Sequence, residues 1–301
     1  MKQVYVGGYG PGICALGDGL RARVASPSFL AAHPTLPVLY AAGELQRGWL
    51  SAFQAGQTLS PLDERPSEGD SPCHVAVDPT GSVLAVANYG DGTVVIYRLD
   101  SRGAFEGDPI VLRHKGSGPN KDRQEGPHAH QAVFHDEILH VSDLGTDEIR
   151  RYRYDGTPLE PIPMNPGTGP RHFAFVGSRL YVAGELDGTV TLIDGERRTV
   201  VPASREDVEN CPSHLHIEGD LVYVANRGPN TITVLRAADL SPVAEVSSGG
   251  DWPRHFAIDG TTMYVANQQS NAVTLLELKD GVPQPSARGY EVERPSCVLI
   301  M

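Results

Sequence analysis

The sequence predicts an all-β protein, a seven-bladed β-propeller whose last blade is closed by the two ends of the chain. Three observations predict it: a motif recurring about every 42 residues, several short apolar runs of strand period inside each repeat, and no convincing stretch of helical apolar spacing.

The repeat is clearest in Pro72-Cys-His-Val-Ala-Val, Pro170-Arg-His-Phe-Ala-Phe, Pro212-Ser-His-Leu-His-Ile and Pro253-Arg-His-Phe-Ala-Ile, each a proline, a histidine two residues on and an apolar run. Weaker copies begin at Pro27, Pro127 and Pro295, so seven prolines are separated by 45, 55, 43, 42, 41 and 42 residues. A second apolar run follows a polar turn, as in Leu180-Tyr-Val-Ala-Gly and Val222-Tyr-Val-Ala-Asn. A third alternates strictly, as in Thr231-Ile-Thr-Val-Leu, the period of a half-buried strand. Three or four such strands per repeat build one wedge of a radial array rather than a sandwich. The seventh proline stands six residues before the C-terminus, and Val4-Tyr-Val-Gly-Gly-Tyr9 reads as a second strand lacking a first. Pairing these ends closes the ring and removes its open edges, making residues 1–301 a single propeller domain.

Composition narrows the function. The 301 residues carry 25 Lys+Arg against 37 Asp+Glu, a net charge of −12, and no basic run longer than Arg150-Arg151 or Arg197-Arg198, which disfavours nucleic acid. Despite 33 glycines and 24 prolines, 40% of the residues are hydrophobic, enough to fill a core. Cysteines 14, 73, 211 and 297 show no metal-type spacing and are expected to pack. The N-terminus breaks into Gly and Pro before a signal-like apolar stretch accumulates, and no apolar run could span a bilayer, so the expectation is a cytoplasmic protein without membrane contact.

A hairpin puts the start of its first strand and the end of its second on one rim. That rim holds the candidate site. The second-strand ends Glu44, Tyr89, Leu144, Glu185, Arg227 and Gln268 occupy equivalent positions yet differ chemically, as a built site requires. Arg171 and Arg254 precede the repeat histidine where other units have Cys73, Ala129 and Ser213. With Arg227 nearby, they can fork onto a carboxylate or phosphate; the structural alternative pairs them with Glu185 and Asp251. Histidines 74, 172, 214 and 255 recur at one position and read as packing residues. Spread around a ring, they make no metal site, and no cofactor is expected. The longest interval holds an inserted loop, Lys115 to His130, bearing Lys121 and Arg123. Aligned on the repeat, His130 is its framework histidine and His128 is extra; the loop is either functional or plain surface.

Gly116-Ser-Gly-Pro-Asn-Lys-Asp-Arg-Gln, Pro127-His-Ala-His130, Gly169-Pro-Arg-His172, Glu185-Leu after Tyr181-Val-Ala-Gly, and Trp252-Pro-Arg-His255 together resemble the lactonase family of seven-bladed propellers. This family includes propeller-type 6-phosphogluconolactonases and carboxymuconate cyclases. The resemblance covers the whole chain and implies His130, Arg171, Glu185 and Arg254 as catalytic residues. The Gly43-Glu44 and Asp143-Leu144 strand ends depart from the Asn-Tyr pattern, at loops where substrate preference is set.

Lactone hydrolysis needs an activated water, a stabilised oxyanion and a proton for the leaving alkoxide. Either Glu185 or His130 serves as base with the other as proton donor, while Arg171 and Arg254 hold developing charge. His128, Arg227, Lys121 and Arg123 are candidate substrate-binding residues for a small anionic lactone, 6-phosphogluconolactone foremost. Two alternatives stay open: lactonisation of a muconate-type diacid, and a non-catalytic scaffold displaying Trp49 and Trp252. Convergence of the four catalytic candidates on one concavity favours an enzyme.

Overall fold

The computed structural model describes residues 2–286 and 288–301. Seven antiparallel sheets stand around a central channel, each with its first strand innermost. Blades II to VII begin with the inner strands Pro27–Ala32, Pro72–Val77, Ala129–His135, Pro170–Val176, Cys211–Glu218 and Pro253–Asp259. Blade I takes its inner strand, Pro295–Ile300, from the C-terminus and its next strand, Val4–Gly8, from the N-terminus, with Val4 opposite Ile300 and Val6 opposite Val298. The terminal closure expected from the sequence is therefore present. Every blade has four strands, and blade VII adds a short fifth, Gly289–Glu291.

The core lies between blades rather than within them, because each sheet buries both faces against its neighbours. Val38 and Tyr40 of blade II pack with Leu84, Val86 and Val95 of blade III, and Tyr223 and Ile232 of blade VI pack with Phe256 and Val265 of blade VII. The tyrosine of the Tyr-Val-Ala motif adds a polar tie. Tyr181 Oη donates to Ala237 O at 2.6 Å and Tyr223 Oη to Gly281 O at 2.7 Å, each reaching a turn of the next blade.

The recurring histidine has a related explanation. Each inner strand bulges near its start, as shown by the register shifts between Pro72 and His74 and between Pro253 and His255. In four blades the residue two places after the inner strand's first accepts an amide N–H from the next blade: Ala132 N–H to His74 Nδ1 at 3.4 Å, and Val298 N–H to His255 Nδ1 at 3.3 Å. Phe173 N–H donates likewise to Gln131 Oε1 at 2.6 Å, and Leu30 N–H to Cys297 Sγ at 3.4 Å. An imidazole accepting at Nδ1 must be neutral. Burial holds His74 and His255 down to about 3, with the Arg171 charge contributing, and the same influences hold His172 and His214 well below the usual range. These rings, with Phe29, plug the channel and form the floor of the site; His74 and Phe29 have centroids 4.0 Å apart, and so do His214 and His255.

Candidate active site

The bulge places one residue per blade at an equivalent position, Ser28, Cys73, His130, Arg171, Ser213, Arg254 and Ser296, and all but Ser213 line one or both of two cavities that share Glu44, Cys73, Arg171 and Arg254. The strand register corrects the sequence alignment here. Ala129 lies opposite Asp143 and Gln131 opposite Ser142, matching Pro72 opposite Asn88 and His74 opposite Ala87. Ala129, not Pro127, therefore starts the repeat in blade IV. His130 is equivalent to Arg171 and Arg254, and Gln131 takes the framework histidine's place. Measured from Ala129, the later spacings are 41, 42, 41 and 42 residues; the two extra residues of the inserted loop had hidden this register.

A second ring comes from the strand ends. In five blades the residue before the inner strand has a left-handed backbone: Ser26, Ser71, Gly169, Trp252 and Arg294, with φ between 42° and 65°. The carbonyls of these residues accept the amides of Glu44, Tyr89, Glu185, Gln268 and Tyr9 at 2.9–3.1 Å, which fixes where those side chains start. Tyr9 is thus the seventh member of a set read as six from the sequence. Its signal was present in Val4-Tyr-Val-Gly-Gly-Tyr9, once aligned with Tyr181-Val-Ala-Gly-Glu185.

Four members of each ring, with Arg123 from the inserted loop, line a cavity of about 200 Å³: Cys73, His130, Arg171 and Arg254, and Glu44, Tyr89, Glu185 and Arg227. All four catalytic candidates converge there, as do the binding candidates Arg123 and Arg227. Lys121 does not; it is exposed on the loop and outside the lining. Nor does His128. Its ring stacks on Tyr89 with centroids 4.6 Å apart, its Nδ1 donates to Tyr89 O at 2.8 Å, and its Nε2 faces Glu125 at 3.3 Å, so it orients Tyr89 rather than facing a ligand. Trp252 lies under Arg227, whose guanidinium is 5.4 Å from the ring centroid, while Trp49 is 48% exposed; the two make no shared aromatic patch.

Glu185 is clasped by three arginines. Its Oε1 accepts from Arg123 Nη2 at 2.6 Å, and its Oε2 lies 2.9 Å from Arg171 Nε and 2.7 Å from Arg227 Nη2. Burial alone would raise its pKa, but Arg227 and Arg171 hold it well below the usual carboxylate range. A carboxylate so engaged is a poor base and serves to order the cations. The Arg171 ends of this cluster are pinned too, since Nη1 donates to Ser213 O. Arg254 differs. It has no carboxylate within ion-pair reach among the described residues, donates to Gln268 Oε1 at 3.3 Å, and covers the Tyr9 ring at 5.4 Å. The pairing with Asp251 considered above is not formed; Asp251 accepts from Asn230 at 2.7 Å.

His130 is neutral, held well below its usual value first by burial and then by Arg171. Its Nδ1 lies 3.8 Å from Cys73 Sγ, and its Nε2 has no hydrogen-bond partner among the described residues. Burial pushes the Cys73 thiol far up, so it stays protonated and is no nucleophile. No group of three or more His, Cys, Asp or Glu side chains among the described residues is arranged to hold a metal ion.

The inserted loop is built, not loose. Asn120 and Gln124 close it: Asn120 N–H donates to Gln124 Oε1 at 3.0 Å, and Gln124 Nε2 donates to Leu144 O at 2.9 Å. At its base the fully buried Asp143 accepts from His114 Nδ1 at 2.6 Å, His128 N at 2.8 Å and Gly145 N at 3.0 Å. Residue 145 must be glycine, since a Cβ there would sit 1.9 Å from Gly126 O. This anchoring delivers Arg123 to Glu185 and to Tyr89 Oη at 3.1 Å. Asp143→Asn, which removes the buried charge facing His114, is expected to cost about 3 kcal/mol of stability and to raise KM more than it lowers kcat; a thermal melt and a substrate titration check both.

With this geometry established, comparison with known proteins is decisive. A family model described as "Lactonase, 7-bladed beta-propeller" matches residues 17–300. The chain belongs to this family. It is 32% identical over 260 residues to a 6-phosphogluconolactonase of Bacillus subtilis, covering 77% of this chain and 74% of the relative, and 28% identical over 238 residues to one of Formosa agariphila, covering 70% and 67%. Among solved structures, a protein from Lactobacillus plantarum superposes with a TM-score of 0.90 at 27% identity, covering 100% of both chains. A periplasmic gluconolactonase of Pseudomonas aeruginosa superposes at 0.89 with 24% identity, covering 99% of this chain and 98% of that one, a likeness of fold. No helix in the described residues of this lactonase is long and apolar enough to cross a membrane.

Proposed function

We propose that this lactonase opens an anionic sugar lactone, 6-phosphogluconolactone to 6-phosphogluconate, with His130, Arg171, Glu185 and Arg254 as its central residues. The observation that carries the reading is the pairing, in one small cavity, of a neutral imidazole whose Nε2 has no partner among the described residues with four guanidinium groups opposed by only two carboxylates. In a protein of net charge −12, so focused a positive hollow suits an incoming sugar phosphate.

In the proposed reaction, water adds to the ring carbonyl carbon as His130 Nε2 takes its proton. Arg254, whose guanidinium makes no ion pair among the described residues, and Arg171 stabilise the oxyanion. The intermediate collapses with cleavage of the ring C–O bond, and the imidazolium returns the proton to the departing oxygen, leaving a hydroxy acid. Glu185 holds Arg123, Arg171 and Arg227 in register, and Arg123 and Arg227 bind the phosphate. A bound dianion offsets the field of these arginines, raising the basicity of His130 when substrate is present. Lys121 and His128 act outside this chemistry. The half-buried thiols Cys14 and Cys211 support a reducing, cytoplasmic setting.

The test is turnover of freshly generated 6-phosphogluconolactone, with gluconolactone and a carboxymuconolactone in parallel. The expected result is a kcat/KM highest for the phosphorylated lactone; no turnover above the spontaneous rate overturns the proposal.

A further inference from the structure

The cavity has two chemically distinct ends. Blades V and VI and the inserted loop supply the arginine-clasped Glu185. Three blades away, as far as a ring of seven allows, Glu44 lines the same cavity from blade II. Its Oε2 accepts from Tyr9 Oη at 2.8 Å, and among the described residues its Oε1 has no partner and no arginine lies within ion-pair reach of it. The Tyr9 ring is itself contacted by the guanidinium groups of Arg254 and Arg294, at 5.4 and 5.2 Å from its centroid, so the group that orients Glu44 is held in place. Below it a void of about 10 Å³, lined in part by Ser28, Glu44, Arg254 and Ser296, has room for one water at most, so a ligand ends at Glu44.

We infer that Glu44 is the specificity-determining residue of this site, accepting hydrogen bonds from the hydroxyl groups of a polyol lactone and excluding lactones with a second carboxylate at that end. This rests on the sugar-lactone reading above and deepens it. A carboxylate with an open oxygen accepts strongly from hydroxyls, and a site built to bond substrate hydroxyls rejects analogues lacking them. The same charge repels an anionic group brought against it, so a single side chain supplies both attraction and exclusion. The diacid lactones handled by cyclase-type propellers would place charge against charge here.

The experiment uses Glu44→Gln, which keeps shape and most hydrogen bonding but removes charge, and Tyr9→Phe, which removes only the group orienting Glu44. Binding of 6-phosphogluconate and of a dicarboxylate, cis,cis-muconate, is measured by calorimetry alongside turnover of 6-phosphogluconolactone. For Glu44→Gln the sugar acid is expected to weaken about tenfold while muconate tightens, with KM rising more than kcat falls. Tyr9→Phe is expected to shift both ligands in the same two directions by less. Both ligands moving together, or neither moving in a variant that melts like wild type, overturns the role of Glu44 while leaving the lactonase reading intact. Wild-type protein that leaves the sugar lactone unhydrolysed overturns the parent reading and this inference with it.

Discussion

Replacing Arg171 with Met is expected to lower kcat/KM for 6-phosphogluconolactone by about 10²-fold, the scale of losing one oxyanion donor, without lowering the melting temperature. The two halves of this result have one cause. Arg171 is 3% exposed, and burial together with the neighbouring Arg227 and Arg254 charges pulls its pKa down to about 9. Its folded-state pKa thus lies below its unfolded value, so crowding by the other cations disfavours the charged form at every pH below about 9 and offsets what Arg171 contributes through its contact with Glu185, whose pKa it holds down. Methionine fills similar space and removes the repulsion, while Glu185 keeps Arg123 and Arg227. The measurement pairs steady-state kinetics with a thermal melt. Unchanged kinetics would remove Arg171 from the mechanism, and a large drop in melting temperature would show that its ion pair to Glu185 outweighs the crowding.

Acid is expected to unfold this protein well above the pH at which carboxylates titrate. Five channel histidines, 74, 130, 172, 214 and 255, are buried and neutral, with folded-state pKa values far below the unfolded value. Below about pH 6.5 the unfolded chain binds protons that the folded chain refuses, so stability is fully present above that pH and is lost as pH falls toward the folded values. Each histidine contributes roughly 1.4 kcal/mol per pH unit over this window. For a chain of this size the melting temperature should then fall by at least about 10 °C between pH 7.5 and 5.5. His255→Gln offers a control, because Gln131 shows that an amide oxygen serves as the cross-blade acceptor at the same position. That variant should melt near wild type at pH 7.5 and lose about one proton's worth of the pH slope. A flat melting profile across the range would contradict the neutral-ring account.

Much of this was legible in the sequence because propeller blades are local. Each unit of about 42 residues forms its own four-stranded sheet, so the Pro-x-His start, the Tyr-Val-Ala strand and the terminal half-blades disclose the architecture directly. The arginines at 171 and 254 stood out for the same reason, as departures from a repeating background. What was not legible depended on register. The inserted loop made Pro127 look like the repeat's start, which turned His130 into a framework residue and left Gln131 unremarked. One-residue shifts of this kind swap a side chain between channel and packing layer, and only paired backbone hydrogen bonds settle them. Lys121 and His128 shared a loop with Arg123 and looked equally suited to bind an anion. Only the fold of that loop, set by Asp143 and Gln124, separates the one that reaches the cavity from the two that do not.

The sequence by itself determined the ring and its closure by the two termini, because these follow from periodicity and from a half-blade left unpaired at each end, and its motifs carried the resemblance to the family. The tertiary structure alone decided the division of labour inside the cavity: that Glu185 is spent on three cations, that His130 Nε2 has no partner among the described residues, and that Glu44, oriented by Tyr9, lines the cavity from across the channel. Those facts arise where residues more than a hundred positions apart in the chain converge on one axis, and charge, burial and hydrogen bonding at such a point belong to the assembled blades rather than to any one repeat.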